Sequence, residues 1–456
     1  MKFKKYGLIL LALMVMFVVA ACTPAPEEPA ADEPADAGDA ETEEAADEPA
    51  DEPADEPADE PADESGEAKT FTVGMLGPFT GPSARTGDEF RTSSEMAFEA
   101  IDYKIGDYDI EVVYIDSQSD PEKAARAYEE AIVQNGVQAG ALNWHSSVAV
   151  AVMEITAKHQ VPHFFGFGAT EVVNETFHSD VERYGYWTSK GWPQPRLLSQ
   201  NYVTALSDAI DAGLWEPNMR AAIYGEDTDW GRSFGDGLAE QLEEAGWEIV
   251  DYQYFPIEQT EFTSVIQRFK DMDVDLIAGT STAPPSLSAF IKQADELQLE
   301  SLIIADGLGW VGEWYDLTGD SSNYVIDQIP GWTTDAGLAF AEEFEARSGL
   351  EPSPSSGGLS YDGASFFIKV LQGAYDEYGE LSSEAVMNFV RDFVWTGEMV
   401  YTTEDGAIVM SEYNFSDPPD PVVGKGYYTF PVLQYMDGDS ITVWPPEFQE
   451  GDLQVP

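Results

Sequence analysis

Twice in succession the chain runs through buried-strand patterns alternating with amphipathic-helix patterns, and this repetition narrows the possible folds more than any other feature. In the first series residues 71–76 read as a strand, 93–101 as a helix with Met96, Ala97, Ala100 and Ile101 on one face, and 111–115 as a strand. Asp120-Pro121-Glu122 then starts a helix with a side-chain cap, a first-turn proline and an acid near the positive end of the dipole. Two further strands are expected at 137–142 and 161–166, with a helix from about Ser146 between them. The pattern restarts at 221–224 and continues through 233–245 (helix), 248–255 (strand), 262–272 (helix), 275–278 (strand), 285–297 (helix) and 301–305 (strand). Two such series predict an α/β protein with two parallel-sheet domains rather than one. The roughly 386 residues after position 70 are enough for two full cores. In parallel sheets small molecules sit beyond the carboxyl ends of the strands, among helix N-termini.

The amino-terminal end has a different character. Lys2, Lys4 and Lys5 precede an apolar run at 8–21 that closes on Val19-Ala20-Ala21-Cys22. This predicts a secretion signal over 1–22 ending in a lipobox: the run falls short of the roughly 20 residues a membrane span needs, and small residues before a cysteine suit peptidase cleavage. Cys22 is the only cysteine, so an intramolecular disulfide is excluded, and diacylglyceryl attachment gives the thiol its role. An extracytoplasmic protein anchored to the cell membrane through lipid on Cys22 is expected. Residues 23–70 are nearly all Ala, Asp, Glu and Pro, with Asp-Glu-Pro-Ala repeats, and predict a disordered, self-repelling tether reaching on the order of 100 Å.

Charge narrows the partners. The formal net charge is -63; of 85 acids, 20 lie in 23–70, which leaves the body 65 acids against 18 bases. So negative a body excludes nucleic acid and anionic membrane as its partners, since both would be repelled. A high-salt habitat, where self-repulsion is screened, and an alkaline one both remain open.

Several short stretches, weak singly but strong in their order and spacing, resemble one family over essentially 71–456. They are Gly77-Pro78-Phe79-Thr80-Gly81-Pro82, Asp116-Ser117-Gln118-Ser119-Asp120-Pro121, Gly168-Ala169-Thr170, Trp230-Gly231, Glu261-Phe262-Thr263-Ser264, Tyr361-Asp362-Gly363-Ala364 and Phe430-Pro431-Val432-Leu433-Gln434-Tyr435. The body resembles the branched-chain amino acid (leucine/isoleucine/valine) binding proteins of the type I periplasmic class, the substrate-binding lipoproteins of ABC importers. What this implies is two Rossmann-like parallel-sheet lobes joined by a three-crossing hinge, with lobe one at 71–190 plus 332–405 and lobe two at 191–331 plus 406–456. It also implies a small-molecule solute, amino acid or amide in type, captured by hinged closure and passed to ABC permease subunits without chemistry or cofactor.

A zwitterion needs donors for its carboxylate, an acceptor for its ammonium and a wall for its side chain. Ser146 and Ser147 begin a helix just beyond a strand, where hydroxyls and free N–H groups meet the favourable end of the dipole. By the family's pattern Thr170 adds a hydroxyl and Ala169 a backbone group, Asp306 receives the ammonium, and Trp230 supplies an aromatic wall. The chain departs from that pattern in having Thr86 where an aromatic residue is common, Asn143-Trp144-His145 where small residues usually sit, and Ser281-Thr282 in place of an aromatic pair. Trp144 and Phe167 are therefore candidates for an aromatic wall moved into lobe one, and aromatic or polar amino acids, small amides, or a cation held by aromatic faces all stay open.

Rival chemistries are weaker. Gly231-Arg232-Ser233-Phe234-Gly235 fits a nucleophile elbow, but a hydrolase using Ser233 needs a strand running directly into the serine and a later histidine, and all four histidines precede it. His159 and His163 have the spacing of paired metal ligands, yet Pro162 interrupts the helix they would share, so no metal site is expected. No phosphate-binding loop is present, which assigns ATP hydrolysis to another subunit. A binding protein that hands its ligand to a sensor is the remaining alternative.

Overall fold

The computed structural model describes residues 69–332 and 334–456; the predicted signal, Cys22 and nearly all of the acidic stretch lie outside them. The first sheet contains β1 (Lys69–Gly77), β2 (Lys104–Ile105), β3 (Tyr108–Asp116), β4 (Ala139–Ala141) and β5 (His163–Phe164), in the order β2-β3-β1-β4-β5. All its pairings are parallel except β2 with β3. Residues 71–77 of β1 are buried without a break, as a parallel strand covered on both faces must be. Helices Pro121–Asn135 and Ser146–His159 pack together, as do Ala84–Glu99 and Leu359–Tyr378.

The second sheet contains β6 (Arg220–Glu226), β7 (Glu248–Phe255), β8 (Leu276–Thr280), β9 (Leu302–Asp306) and β10 (Ile326–Gln328) in parallel. A small ribbon, β11 (Tyr401–Thr402) with β12 (Glu412–Tyr413), stands apart from both sheets. An antiparallel hairpin, β13 (Val432–Met436) and β14 (Asp439–Trp444), closes one edge, giving β14-β13-β10-β9-β8-β6-β7. Its turn is Asp437-Gly438, both at positive φ, the geometry that twists two adjoining strands together.

The expected strands and helices are present with end shifts of a few residues, save one. The helix expected from Ser93 already begins at Ala84. Its first turns bury Thr86, Gly87 and Glu89 instead of an apolar stripe, so hydrophobic periodicity does not reveal them. Asp120 caps its helix as predicted, accepting from Lys123 N at 2.9 Å.

The chain passes between the two sheets three times, through 187–195, 328–335 and 415–432. The first and third passages are tied by a buried ion pair. Lys190 Nζ lies 2.6 Å from Asp420 Oδ1 and donates to Asn174 Oδ1 at 2.6 Å, while Lys190 N donates to Pro419 O at 2.6 Å. The boundary expected at 405/406 falls inside the β11–β12 ribbon, whose Tyr413 packs on Phe165 beside the first sheet.

Asp362, in the helix Leu359–Tyr378, is fully buried and holds this ribbon in place. It accepts from Ile408 N at 2.9 Å, from Val409 N at 3.0 Å and from the Tyr413 hydroxyl. Burial pushes its carboxyl from 3.8 up to about 7, against the pull of those hydrogen bonds. Between these two pH values the folded state therefore binds the extra proton, and stability falls as pH rises. Asp362→Asn should remove that slope. Its melting temperature relative to the wild type should climb between about pH 4 and 7, by the equivalent of a few kcal/mol, and stay flat outside that range.

Candidate functional site

The carboxyl ends of both sheets face one crevice, which holds a small cavity lined by Trp144, Ser146, Phe167, Trp192, Trp230, Thr282 and Trp310. On the first-sheet side, β4 and β5 are each followed by a residue forced into the left-handed region, Leu142 at φ 64° and Phe165 at φ 55°. Such bulky residues at positive φ cost roughly 1–3 kcal/mol each. They turn the chain so that Trp144 and Phe167 reach the cavity. A Cβ on Gly168 would overlap Ala149, so glycine lets the next two amides, Ala169 N and Thr170 N, approach Ser146 Oγ at 3.1 and 3.2 Å. That hydroxyl, at the first residue of its helix, accepts twice and keeps its own hydrogen to donate.

On the second-sheet side, Trp230 stands in the first turn of the helix Asp229–Glu244, which Thr228 caps by accepting from Gly231 N at 3.2 Å. Its indole N–H donates to Thr280 Oγ1 at 2.9 Å. Trp310 rides on a short turn after Gly307, whose φ of 108° needs glycine. Asp327 holds that turn by accepting from Gly307 N at 3.0 Å and Gly309 N at 2.7 Å. Trp192 comes from the first passage between the sheets and packs on Phe430 at 4.7 Å.

Five of the ten expected contacts thus line the cavity: Trp144, Ser146, Phe167, Trp230 and Thr282. The other five lie behind it. Ser147 Oγ accepts from Asp229 N at 3.2 Å, joining the two halves. Ala169 and Thr170 contribute the amides that hold Ser146, and the Thr170 hydroxyl caps its own helix. Thr86 is buried within its helix. Asp306 is fully buried, with Oδ1 accepting from the Tyr202 hydroxyl at 2.8 Å and Oδ2 without a partner. Burial, and then the neighbouring Asp327, push its carboxyl well above the usual range. Sequence reasoning missed Trp192 and Trp310; the available signal was a Gly-Trp pair in each case, Gly191-Trp192 and Gly309-Trp310.

The halves touch across the crevice through groups of their own. The Thr282 carbonyl accepts from Ser83 Oγ at 2.8 Å and from Trp144 Nε1 at 3.3 Å. Ser83 has spent its hydrogen on that carbonyl, so His145, 3.0 Å away, donates to it through Nε2. Burial lowers the imidazole to about 3, leaving it neutral. Arg85 forks onto Glu313, with Nε to Oε1 at 2.5 Å, and also donates to Glu89 at 2.9 Å. Ser356 donates to the Trp310 carbonyl at 2.5 Å and Ser353 to that of Gly309 at 2.5 Å.

The rival chemistries find no support in the geometry. Ser233 lies inside the helix Asp229–Glu244, well past the end of β6, and its hydroxyl is bound to Glu171. His159 meets Glu129 at 2.8 Å, whereas His163 lies in β5, bonded to the Tyr128 hydroxyl at 2.8 Å and stacked on Trp187. Among the described residues no helix is long and apolar enough to cross a membrane.

Parallel sheets whose strand ends converge on one crevice, linked by three passages of the chain, define the architecture of a periplasmic binding protein. The periplasmic binding protein model matches residues 70–413, and the chain belongs to that family. Leu/Ile/Val-binding protein homolog 7 of Brucella suis biovar 1 (strain 1330) is 26% identical over 403 residues, covering 84% of this chain and 94% of that protein. Homolog 6 of the same organism is 27% identical over 226 residues, 49% of this chain, and the match spans only about half of that relative's length (54%). Among solved structures, the branched-chain amino acid substrate-binding protein of Streptococcus pneumoniae, in complex with isoleucine, superposes with a TM-score of 0.66 at 17% identity, covering 82% of this chain and 98% of that one. A solute-binding protein of R. palustris in complex with 4-hydroxybenzoate gives 0.63 at 21% identity, covering 82% and 95%. At these identities the structural likeness is one of fold.

The Arg85–Glu313 fork links the halves at the rim of the crevice, partly exposed, where such a pair is worth about 1 kcal/mol. Glu313→Gln should therefore weaken solute binding about fivefold, with most of the change in the dissociation rate measured by stopped-flow tryptophan fluorescence.

Proposed function

We propose that this protein is the solute-capturing component of an ABC importer for an amino acid or amino-acid-like molecule, working by hinged closure and delivering its guest unchanged to permease subunits. The observation that carries this reading is the shared wall of the cavity, with Trp144, Ser146 and Phe167 from one half and Trp230, Thr282 and Trp310 from the other. A guest touching both sets gains full contact only when the halves meet, so its binding energy drives closure. Ser146 at a helix N-terminus suits a carboxylate, and the indoles suit an apolar or cationic remainder. The names of the Brucella relatives favour an amino-acid-like solute; the 4-hydroxybenzoate complex of a protein with this fold argues for a broad panel in any test.

A thermal-shift screen over amino acids, aromatic acids, amides, polyamines and betaines tests the reading. One class should raise the melting temperature in proportion to the logarithm of its concentration. A panel without any stabilising solute would refute it. We propose further that lipid on Cys22 anchors the protein to the outer face of the cell membrane; Cys22→Ser should then move the protein from the membrane fraction to the soluble one.

A further inference from the structure

The nature of the cavity walls narrows the guest beyond an amino-acid-like molecule. Building on the solute-binding reading, we propose that the crevice is an aromatic cage for a quaternary ammonium group and that the solute is a small zwitterion carrying one, of the trimethylammonio-carboxylate type.

The first ground is the arrangement of the rings. Four of the seven lining residues are tryptophans. Trp144 meets Trp310 at 5.1 Å and 87°, Trp192 meets Trp310 at 5.8 Å and 85°, and Trp230 meets Trp310 at 6.0 Å and 53°. None of these pairs is parallel, and the near-parallel lining rings of Phe167 and Trp192, at 28°, lie 6.4 Å apart, too close to admit a third ring between them. Faces set at steep angles to one another suit a near-spherical cation, which is attracted to an aromatic face from any direction.

The second ground is charge. The wall built by the second sheet is backed by three fully buried acids, Glu226, Asp306 and Asp327. Glu226 Oε2 accepts from Thr282 N and Thr282 Oγ1, both at 2.7 Å. Asp306 connects to Trp230 through Thr280, whose hydroxyl donates to the Asp306 carbonyl at 2.8 Å. Asp327 holds the turn that carries Trp310. Among the described residues no Lys or Arg pairs with any of the three, and none of the seven lining residues is charged. His145 is neutral, and Lys190 is matched by Asp420. Burial raises all three carboxyls, Asp306 well above the usual range, so they do not act as three full charges; what the wall offers is oxygen dipoles with no cationic partner for a net anion, a setting that favours a guest with a cationic end.

The third ground separates a quaternary from a primary ammonium. A primary ammonium has three N–H donors, and each one left unpaired in a buried site carries a desolvation penalty. Few lining acceptors are open: the Thr282 carbonyl is engaged by Ser83 and Trp144 and Ser146 Oγ by two amides, which leaves the oxygen of the Thr282 hydroxyl, itself donating to Glu226, too little for three N–H groups. A quaternary nitrogen has no N–H to satisfy. Donors, by contrast, are in surplus. The indole N–H groups of Trp192 and Trp310 are buried without a partner, and the Ser146 hydroxyl hydrogen is free, so a carboxylate has three lining side chains from which to accept.

Titration calorimetry on the full chain would use glycine betaine as probe, with 3,3-dimethylbutanoate as its uncharged-headgroup isostere and with leucine and 4-hydroxybenzoate as controls. Betaine should bind saturably and roughly 30-fold more tightly than the isostere, the ratio expected for a desolvated cation on aromatic faces. Trp310→Phe should weaken betaine less than Trp310→Ala does. Should the tryptophan variants melt early, the isostere ratio in the wild-type protein still decides. Equal binding of betaine and isostere, or tighter binding of leucine or 4-hydroxybenzoate, would overturn the cage while leaving the solute-binding reading intact. Failure of all four probes and of the whole thermal-shift panel would overturn both.

Discussion

The carboxyl group of Glu226 is the point to which the crevice is fixed. It terminates β6 in full burial and gathers the amide and hydroxyl of Thr282 together with the hydroxyl of Thr228. Burial raises its titration, since a charge in this place loses its hydration and gains only hydrogen bonds in exchange. Those bonds determine where the Thr282 carbonyl points, and that carbonyl receives Ser83 and Trp144 from the opposite half. A single buried acid therefore sets the seat of one lobe against the other. The same residue holds the Thr228 cap from which Trp230 projects, so wall and joint share one support.

The parts of this architecture written in local pattern were readable. Two βα series announced two parallel sheets, because strand and helix periods survive wherever one face packs on a core. Ser146 begins its helix where the residue pattern put it, and Asp120-Pro121-Glu122 marked a helix start that caps as such residues do. Features that depend on distant partners were not readable. The first turns of Ala84–Glu99 carry no apolar stripe because they bury Glu89 against Arg85 and Ser356. The helices at 335–348, 359–378 and 383–389 and the closing hairpin went unread, although Asp437-Gly438 between two apolar runs was a usable hairpin signal. Trp192 and Trp310 sit on irregular segments whose position depends on the passages between the sheets, and spacing along the chain gives no hint of that.

Fold and guest are separate questions in this family. Proteins of similar architecture have been solved with isoleucine and with 4-hydroxybenzoate, so the hinged frame imposes no single chemistry. The walls do. Here they combine indoles at steep mutual angles, a helix start offering a hydroxyl, and acids kept one layer behind the surface. The surplus of acids across the body is thus expressed locally as an ordered backing to one side of the crevice.

The contacts that join the halves, among them Ser83 to Thr282, Asp229 to Ser147, Arg85 to Glu313 and Ser356 to Trp310, belong to the protein alone. Under the proposed closure they hold an occupant in place by bonds in which it takes no part. Its dwell time then depends on that protein-to-protein seam as well as on its own grip on walls drawn from both halves. Whatever opens the crevice must therefore part a seam that includes no atom of the guest.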